Sequence, residues 1–186
     1  MRIQLCLFIY EKDKIKNLCV GIDVHINLYK TIYYKEGIIN MENIVIEKMT
    51  IQDVIEIEKD FEKKFDDFWN INILKSELNN NNSLYFVAKN ENKVLGFIGI
   101  LINIDFTEIT NIVVRKDFRN LGIGKMLLEK IIEEAKKNGK NLIYLEVNEN
   151  NVNAINLYKK YRFEEVGRRK KYYNQKDDAI LMNLKL

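Results

Sequence analysis

The segment from Ser83 to Val147 changes its hydrophobic period twice, and few folds accommodate the order in which it does so. Ser83 to Ala88 and Val94 to Ile104 read as strands joined across Asn90, Glu91 and Asn92, a turn-prone tripeptide that predicts an antiparallel hairpin. A third strand runs through Ile109 to Val114. Lys125 to Asn138 then sets Leu127, Leu128, Ile131, Ile132 and Ala135 on one helical face, and Gly139 closes that helix as its C′ residue. Leu142 to Val147 returns to strand alternation. A hairpin followed by a strand, helix and strand requires a mixed sheet with helices packed on it, a single α/β domain.

The flanks extend this pattern. Ile44 to Met49 alternates like a strand, and Thr50 with Asp53 three residues later forms a capping-box signature. A helix should follow, with Ile51, Val54, Ile55, Glu58, Phe61 and Phe65 at helical spacing, then a short helix over Ile71 to Leu78. After the core segment, Val152 to Tyr161 reads as a helix, and Phe163 to Val166 and Ala179 to Leu184 as the last strands. Residues 1–40 show no sustained period, so a boundary falls at Met41. Residues 1–40 are read as an N-terminal extension, with Met41 as an alternative start, and residues 41–186 as the domain.

Composition narrows the chemistry. Thirty basic and 27 acidic residues leave a net charge of +3, a near balance that predicts no chain-wide field for nucleic acid. Two cysteines, Cys6 and Cys19, are too few for a disulfide framework or a four-thiolate zinc site. His25 is the single histidine, so no metal site is predicted. No apolar run approaches the roughly 20 residues of a membrane helix. These features together predict a cytoplasmic protein, which is expected to be a monomer.

Chemistry concentrates in three places. Between the Ile109 to Val114 strand and the following helix lies Arg115 to Gly124, basic and glycine-bearing. Glycines allow close backbone approach, and N–H groups converging at a helix N-terminus favour an anion, with Arg119 and Lys125 adding charge. A tight turn with solvated charges is the alternative. The spacing fits neither a dinucleotide fingerprint nor a phosphate loop ending in Lys-Ser/Thr. Second, alternation puts Glu146 on one strand face with Leu142 and Tyr144, where a carboxylate is either functional or a solvated strand end. Third, Tyr158 shares a helix face with Ala154, Ile155 and Tyr161, the pattern of a core tyrosine, and Asn151 precedes that helix as an N-cap.

Arg119-x-x-Gly122-x-Gly124 after a Val-rich strand resembles the acetyl-coenzyme A (acetyl-CoA) pyrophosphate loop of the GNAT family of N-acetyltransferases. Leu145 through Tyr158, then Arg168 to Tyr173 and Asp178 to Met182, is similar to the ribosomal-protein-alanine N-acetyltransferase branch, over about Met41 to Leu186. The resemblance implies a mixed, mostly antiparallel sheet flanked by helices, with one splayed parallel strand pair. It also implies acetyl transfer from acetyl-CoA to a protein N-terminus, the N-terminal alanine of a small-subunit ribosomal protein, the alternatives being another N-terminus, a lysine or a small amine as acceptor, or a non-catalytic acetyl-CoA-sensing module. By that likeness Ile112, Val113 and Val114 would meet the pantetheine arm, and Arg119, Asn120, Leu121, Gly122, Ile123, Gly124 and Lys125 the pyrophosphate. Asn151 would also contact the cofactor, Glu146 would be the general base and Tyr158 the general acid. Tyr172 and Tyr173 would hold the substrate peptide.

Two departures from that pattern stand out. Lys116 replaces a common proline, in a chain with none, and Arg162 replaces a helix-ending glycine, which predicts strain of roughly 1–2 kcal/mol at an αL position. The basic run Arg168 to Lys171 is read as a solvated hairpin, with no nucleic acid assigned to it.

Overall fold

The computed structural model describes residues 5–11, 14–20, 31–34, 37–59, 61–65 and 71–186; His25 lies outside them. Two hairpins come first, β1 (Leu5–Glu11) with β2 (Lys14–Val20) and β3 (Thr31–Tyr34) with β4 (Gly37–Asn40), each a separate two-stranded sheet. Both occupy the segment without sustained period. β4 nonetheless carries Ile39, which is buried within the main core, so that packing reaches back past Met41.

The chain then builds one seven-stranded sheet. Its members are β5 (Val45–Lys48), β6 (Ser83–Asn90), β7 (Lys93–Ile102), β8 (Thr107–Val114), β9 (Leu142–Asn148), β10 (Glu164–Tyr173) and β11 (Asp177–Lys185). The spatial order is β10-β11-β9-β8-β7-β6-β5, and every pair is antiparallel except β8 with β9. That parallel pair is joined by a crossover through α4 (Ile123–Lys137), as strands running the same way require.

Helices cover both faces. α4 and α5 (Val152–Lys160) enclose one core with Ile98, Leu127, Ile131, Leu145 and Phe163. α1 (Ile51–Glu58), α2 (Phe61–Lys64) and α3 (Ile71–Glu77) enclose the other, built on Val54, Ile57, Leu74 and the clustered rings of Phe61, Phe65 and Phe97. The helix expected to run unbroken to Phe65 divides at Lys59, although the buried positions 54, 57, 61 and 65 keep one period across the break.

The local signals act as their chemistry dictates. Thr50 and Asp53 close a reciprocal capping box, the Asp53 carboxylate accepting from the Thr50 amide at 2.7 Å and the Asp53 amide donating to the Thr50 hydroxyl at 3.3 Å. Gly139 adopts φ 66°, and the Lys140 amide donates to the Ala135 carbonyl at 3.0 Å, completing a Schellman motif at the end of α4. The same motif ends α5. There Arg162 takes φ 66° and the Phe163 amide donates to the Tyr158 carbonyl at 3.1 Å.

Two irregularities disturb the middle of the sheet, one on each edge of β8. β8 and β9 pair only at Thr107 with Ile143, Glu108 with Tyr144 and Ile109 with Leu145; beyond these the strands part, giving the splay implied by the resemblance. On the other edge of β8 the register with β7 slips between Gly99 and Ile100, leaving Thr110 as the extra residue of a β-bulge.

Candidate active site

The splay opens a cleft that runs from the ends of β8 and β9 to the N-termini of α4 and α5. Its wall contains Ile112, Val113 and Val114 of β8, then Arg119, Asn120, Gly122, Ile123, Gly124 and Lys125 at the start of α4, with Asn151 and Tyr158 opposite. The side chain of Leu121, the loop residue between Asn120 and Gly122, packs against the core. The cleft also gathers Asn148, Asn150, Asn153, Asn156 and Lys160, which sequence reading did not single out, and Lys116, which it noted only as a replaced proline.

The loop before α4 is built to face an anion. Positive φ at Asn120 (64°) and at Gly122 (86°) turns the chain twice within three residues, and asparagine and glycine tolerate that region best. The first N–H groups of α4 have no intrahelical acceptor, so they and the helix dipole offer partial positive charge at this end. Gly124 sits where an added Cβ would lie 3.6 Å from Leu157 and 3.7 Å from Val114, between the two helices and the strand. Arg119 braces this loop: its guanidinium donates to the Val114 carbonyl at 3.2 Å and to the Phe65 carbonyl at 3.1 Å. The donor set and the two αL turns fit the diphosphate of acetyl-CoA.

Asn151 is the N-cap of α5, accepting from the Ala154 amide at 3.2 Å, while its residue also lines the cleft. Tyr158 is 4% exposed, its ring tilted on Phe163 with centroids 5.6 Å apart. It is therefore both a core residue and a wall of the cleft. Burial, and then the neighbouring Tyr173, push its phenol above the usual tyrosine range.

On the other sheet face the β9 alternation holds as read, with Ile143, Leu145 and Val147 in the core and Tyr144 and Glu146 half-buried on the opposite side. Arg169 of β10 donates to Glu146 at 3.1 Å and stacks over Tyr172 at 5.6 Å. Tyr172 and Tyr173 meet edge to face with centroids 5.2 Å apart. Burial, then Glu146 and Tyr172, push Tyr173 up to about 12. Tyr173 feels the charge of Glu146 and neighbours Tyr158 electrostatically, while the cleft itself is lined by Tyr158 and not by Glu146, Tyr172 or Tyr173. β10 reaches this side because it runs to Tyr173, seven residues beyond its expected end at Val166. The charges that hid this strand are paired: Arg168 with Glu165 and Glu149, Arg169 with Glu146, and Lys170 with Asp178. Glu108 and Arg169 join this face only through strand register, which local sequence does not reveal.

Comparison with known proteins matches this geometry. Residues 51–163 fit the model of the acetyltransferase (GNAT) family. The chain is 35% identical over 104 residues to the ribosomal protein bS18-alanine N-acetyltransferase of Escherichia coli K12, covering 54% of this chain and 70% of that one. The crystal structure of the ribosomal-protein-S18-alanine N-acetyltransferase from Escherichia coli superposes with a TM-score of 0.70 at 28% identity, over 76% of this chain and 93% of that one. A Bacillus anthracis acetyltransferase in complex with acetyl coenzyme A is 30% identical, with a TM-score of 0.55 over 60% of this chain and 67% of that one.

Proposed function

Because the chain belongs to the acetyltransferase (GNAT) family and is an N-acetyltransferase, we propose that it acetylates a protein α-amine, the N-terminal alanine of a small-subunit ribosomal protein. The observation that supports this reading is the splay of β8 from β9, which opens a cleft lined by Tyr158 and the loop before α4, with Glu146 paired to Arg169 beside the Tyr172–Tyr173 rings on the other sheet face. The alanine acceptor is supported by the names of the relatives. In this reading residues 41–186 are the catalytic domain of a cytoplasmic monomer and residues 1–40 an extension of it. Among the described residues no helix is long and apolar enough to cross a membrane.

Acetyl-CoA, when bound, supplies an activated acyl group whose leaving sulfur is a good one. The residues that would hold it are Ile112 to Val114 along the strand, Asn120 to Lys125 at the loop and Asn151 at α5. Glu146 acts as general base. A peptide α-amine titrates near about 7.7–8.0, so a positioned carboxylate has one readily lost proton to remove. A backbone N–H of the Ile112 to Val114 strand stabilises negative charge on the carbonyl oxygen as the amine attacks. Tyr158 keeps its proton throughout the neutral range and delivers it to the departing sulfur. Tyr172 and Tyr173 line the path of the peptide, edge-to-face rings forming a rigid wall.

The test is acetyl transfer followed by mass spectrometry on a panel of peptides: alanine-initiated ribosomal N-termini, other N-termini and blocked peptides with lysine only. Transfer to the ribosomal alanine peptide is expected. Transfer to lysine alone would refute the α-amine assignment.

A further inference from the structure

The hairpin that carries Tyr172 and Tyr173 is not a regular ladder. β10 and β11 pair at Arg169 with Ala179 and again at Tyr173 with Asp177, so that Lys170, Lys171 and Tyr172 stand opposite Asp178 alone. This is a bulge with two surplus residues, and Lys171 takes φ 54° within it. Consecutive residues of a regular strand face opposite ways, yet the rings of Tyr172 and Tyr173 meet edge to face with centroids 5.2 Å apart. The bulge follows directly on Arg169, which donates to Glu146 at 3.1 Å and stacks over Tyr172. Its shape therefore decides where both rings lie relative to Glu146.

A lysine at positive φ is strained, and the bulged amide has lost its ladder acceptor. One side chain answers both. Asp178 Oδ1 accepts from the Lys171 amide at 2.9 Å, and Oδ2 accepts from Lys170 Nζ at 2.7 Å. These two donors, Lys170 first, hold its carboxyl below the usual value. Asp178 is 8% exposed, and its own amide donates to the Glu149 carboxylate at 2.9 Å. The Glu149 amide donates in return to the Asp178 carbonyl at 3.1 Å, so the backbone that presents the carboxylate is itself fixed.

We propose that Asp178 is a positioning residue for the acceptor: by holding the bulge at Lys171 it keeps the Tyr172 and Tyr173 rings together beside Glu146, without touching the acceptor itself. This rests on the reading of the two tyrosines as walls of the peptide path. An acceptor then meets rings already in place, and their ordering is completed in folding rather than on binding. The bond to the Lys171 amide carries the effect. The ion pair to Lys170, whose side chain is 79% exposed, adds little.

The experiment measures, in the full chain, kcat and KM for the panel peptide that the wild type acetylates, with acetyl-CoA affinity by calorimetry as the control. Asp178→Ala should raise the peptide KM roughly 10-fold, the scale of immobilising two side chains on binding, with kcat within about threefold and acetyl-CoA affinity within about twofold. Asp178→Asn keeps an acceptor for the Lys171 amide and should stay within about threefold of the wild-type KM, as should Lys170→Met. Adding Lys171→Gly, which adopts φ 54° freely, should restore most of the affinity lost in Asp178→Ala. A general loss of stability would show no such rescue. An unchanged KM in Asp178→Ala, a matching loss of acetyl-CoA affinity, or Asp178→Asn and Lys170→Met as impaired as Asp178→Ala would each overturn the assignment. If Asp178→Ala does not fold, Lys171→Val decides, because it keeps Asp178 but resists positive φ. It should raise the peptide KM alone, and an unchanged KM refutes the proposal. Tyr172→Ala separates the two readings. An unchanged KM there removes the tyrosine from the peptide path and this proposal with it, whereas a raised KM beside a normal Asp178→Ala refutes the positioning role alone. A wild type that acetylates no peptide of the panel refutes both.

Discussion

Replacing Tyr158 with phenylalanine separates the two roles its position combines. The ring is 4% exposed and tilted on Phe163 at 5.6 Å, and the substitution keeps both the apolar burial and that contact. The hydroxyl makes no hydrogen bond to a described residue, so its removal leaves no protein group unsatisfied. Tyr158→Phe should therefore change folding stability by less than about 1 kcal/mol, whereas Tyr158→Ala should lose about 3–5 kcal/mol by opening a cavity. Turnover should respond in the opposite ratio. Loss of a general acid lowers kcat about 10²- to 10⁴-fold, or roughly 2.7–5.5 kcal/mol on the barrier. Because burial and Tyr173 hold the phenol above its usual range, Tyr158 stays protonated well past pH 9, and its loss should lower the pH–rate plateau without moving the midpoint. Urea denaturation monitored by fluorescence gives the first quantity, and thiol release from acetyl-CoA between pH 6 and 9.5 gives the second. Turnover within threefold of wild type would remove Tyr158 from the chemistry. A stability loss above about 2 kcal/mol would mean that the hydroxyl is a structural group.

Three further outcomes rest on particular residues. Arg162→Gly should stabilise the fold by about 1 kcal/mol, since glycine occupies φ 66° without the Cβ penalty, and should raise Tm by roughly 2–4 °C in differential scanning calorimetry. Thr50→Ala should cost about 1 kcal/mol in urea denaturation by opening the capping box. Its partner Asp53 adds a pH signature. Burial alone would raise that carboxyl, but hydrogen bonds from Thr50 and Lys89 outweigh it and hold it below 3.8. Its stabilisation is thus complete above that value and drains as pH falls through the lower folded one, a dependence Asp53→Asn should abolish. Glu146→Gln should leave acetyl-CoA affinity nearly intact by calorimetry while kcat falls about 100-fold or more.

Much of the fold was legible because the responsible signals are local. Gly139 ends α4 and Thr50 with Asp53 starts α1, each through backbone groups within three or four residues. Alternation along β9 separated Glu146 from the core, since period two needs no knowledge of the neighbouring strand. Arg162 announced its αL strain for the same reason. What stayed hidden depends on partners distant in sequence. The run from Arg168 to Lys171 reads as a solvated turn until Glu146, Glu149 and Asp178 neutralise it, and only then can β10 continue to Tyr173. Glu108 looks like a surface residue between Thr107 and Ile109, which both face inward. Its position beside Glu146 comes from a parallel register fixed by the α4 crossover, which no window of sequence displays.

The parting of β8 from β9 creates two sheet edges in the middle of a sheet. Main-chain groups there, after Ile109 and Leu145, are not engaged across the gap as their neighbours are, and free edges ordinarily invite another chain. Here α4 and α5 roof the wedge on one side, so that only a slender extended molecule can enter. Amide protons of this stretch that point away from β7 into the gap, such as those of Ile112 and Val114, should therefore exchange with solvent faster than those of β6 and β7 in the ligand-free protein, and slow markedly when an extended ligand lies in the gap. The interior of the sheet, ordinarily its most protected region, becomes a reporter of occupancy.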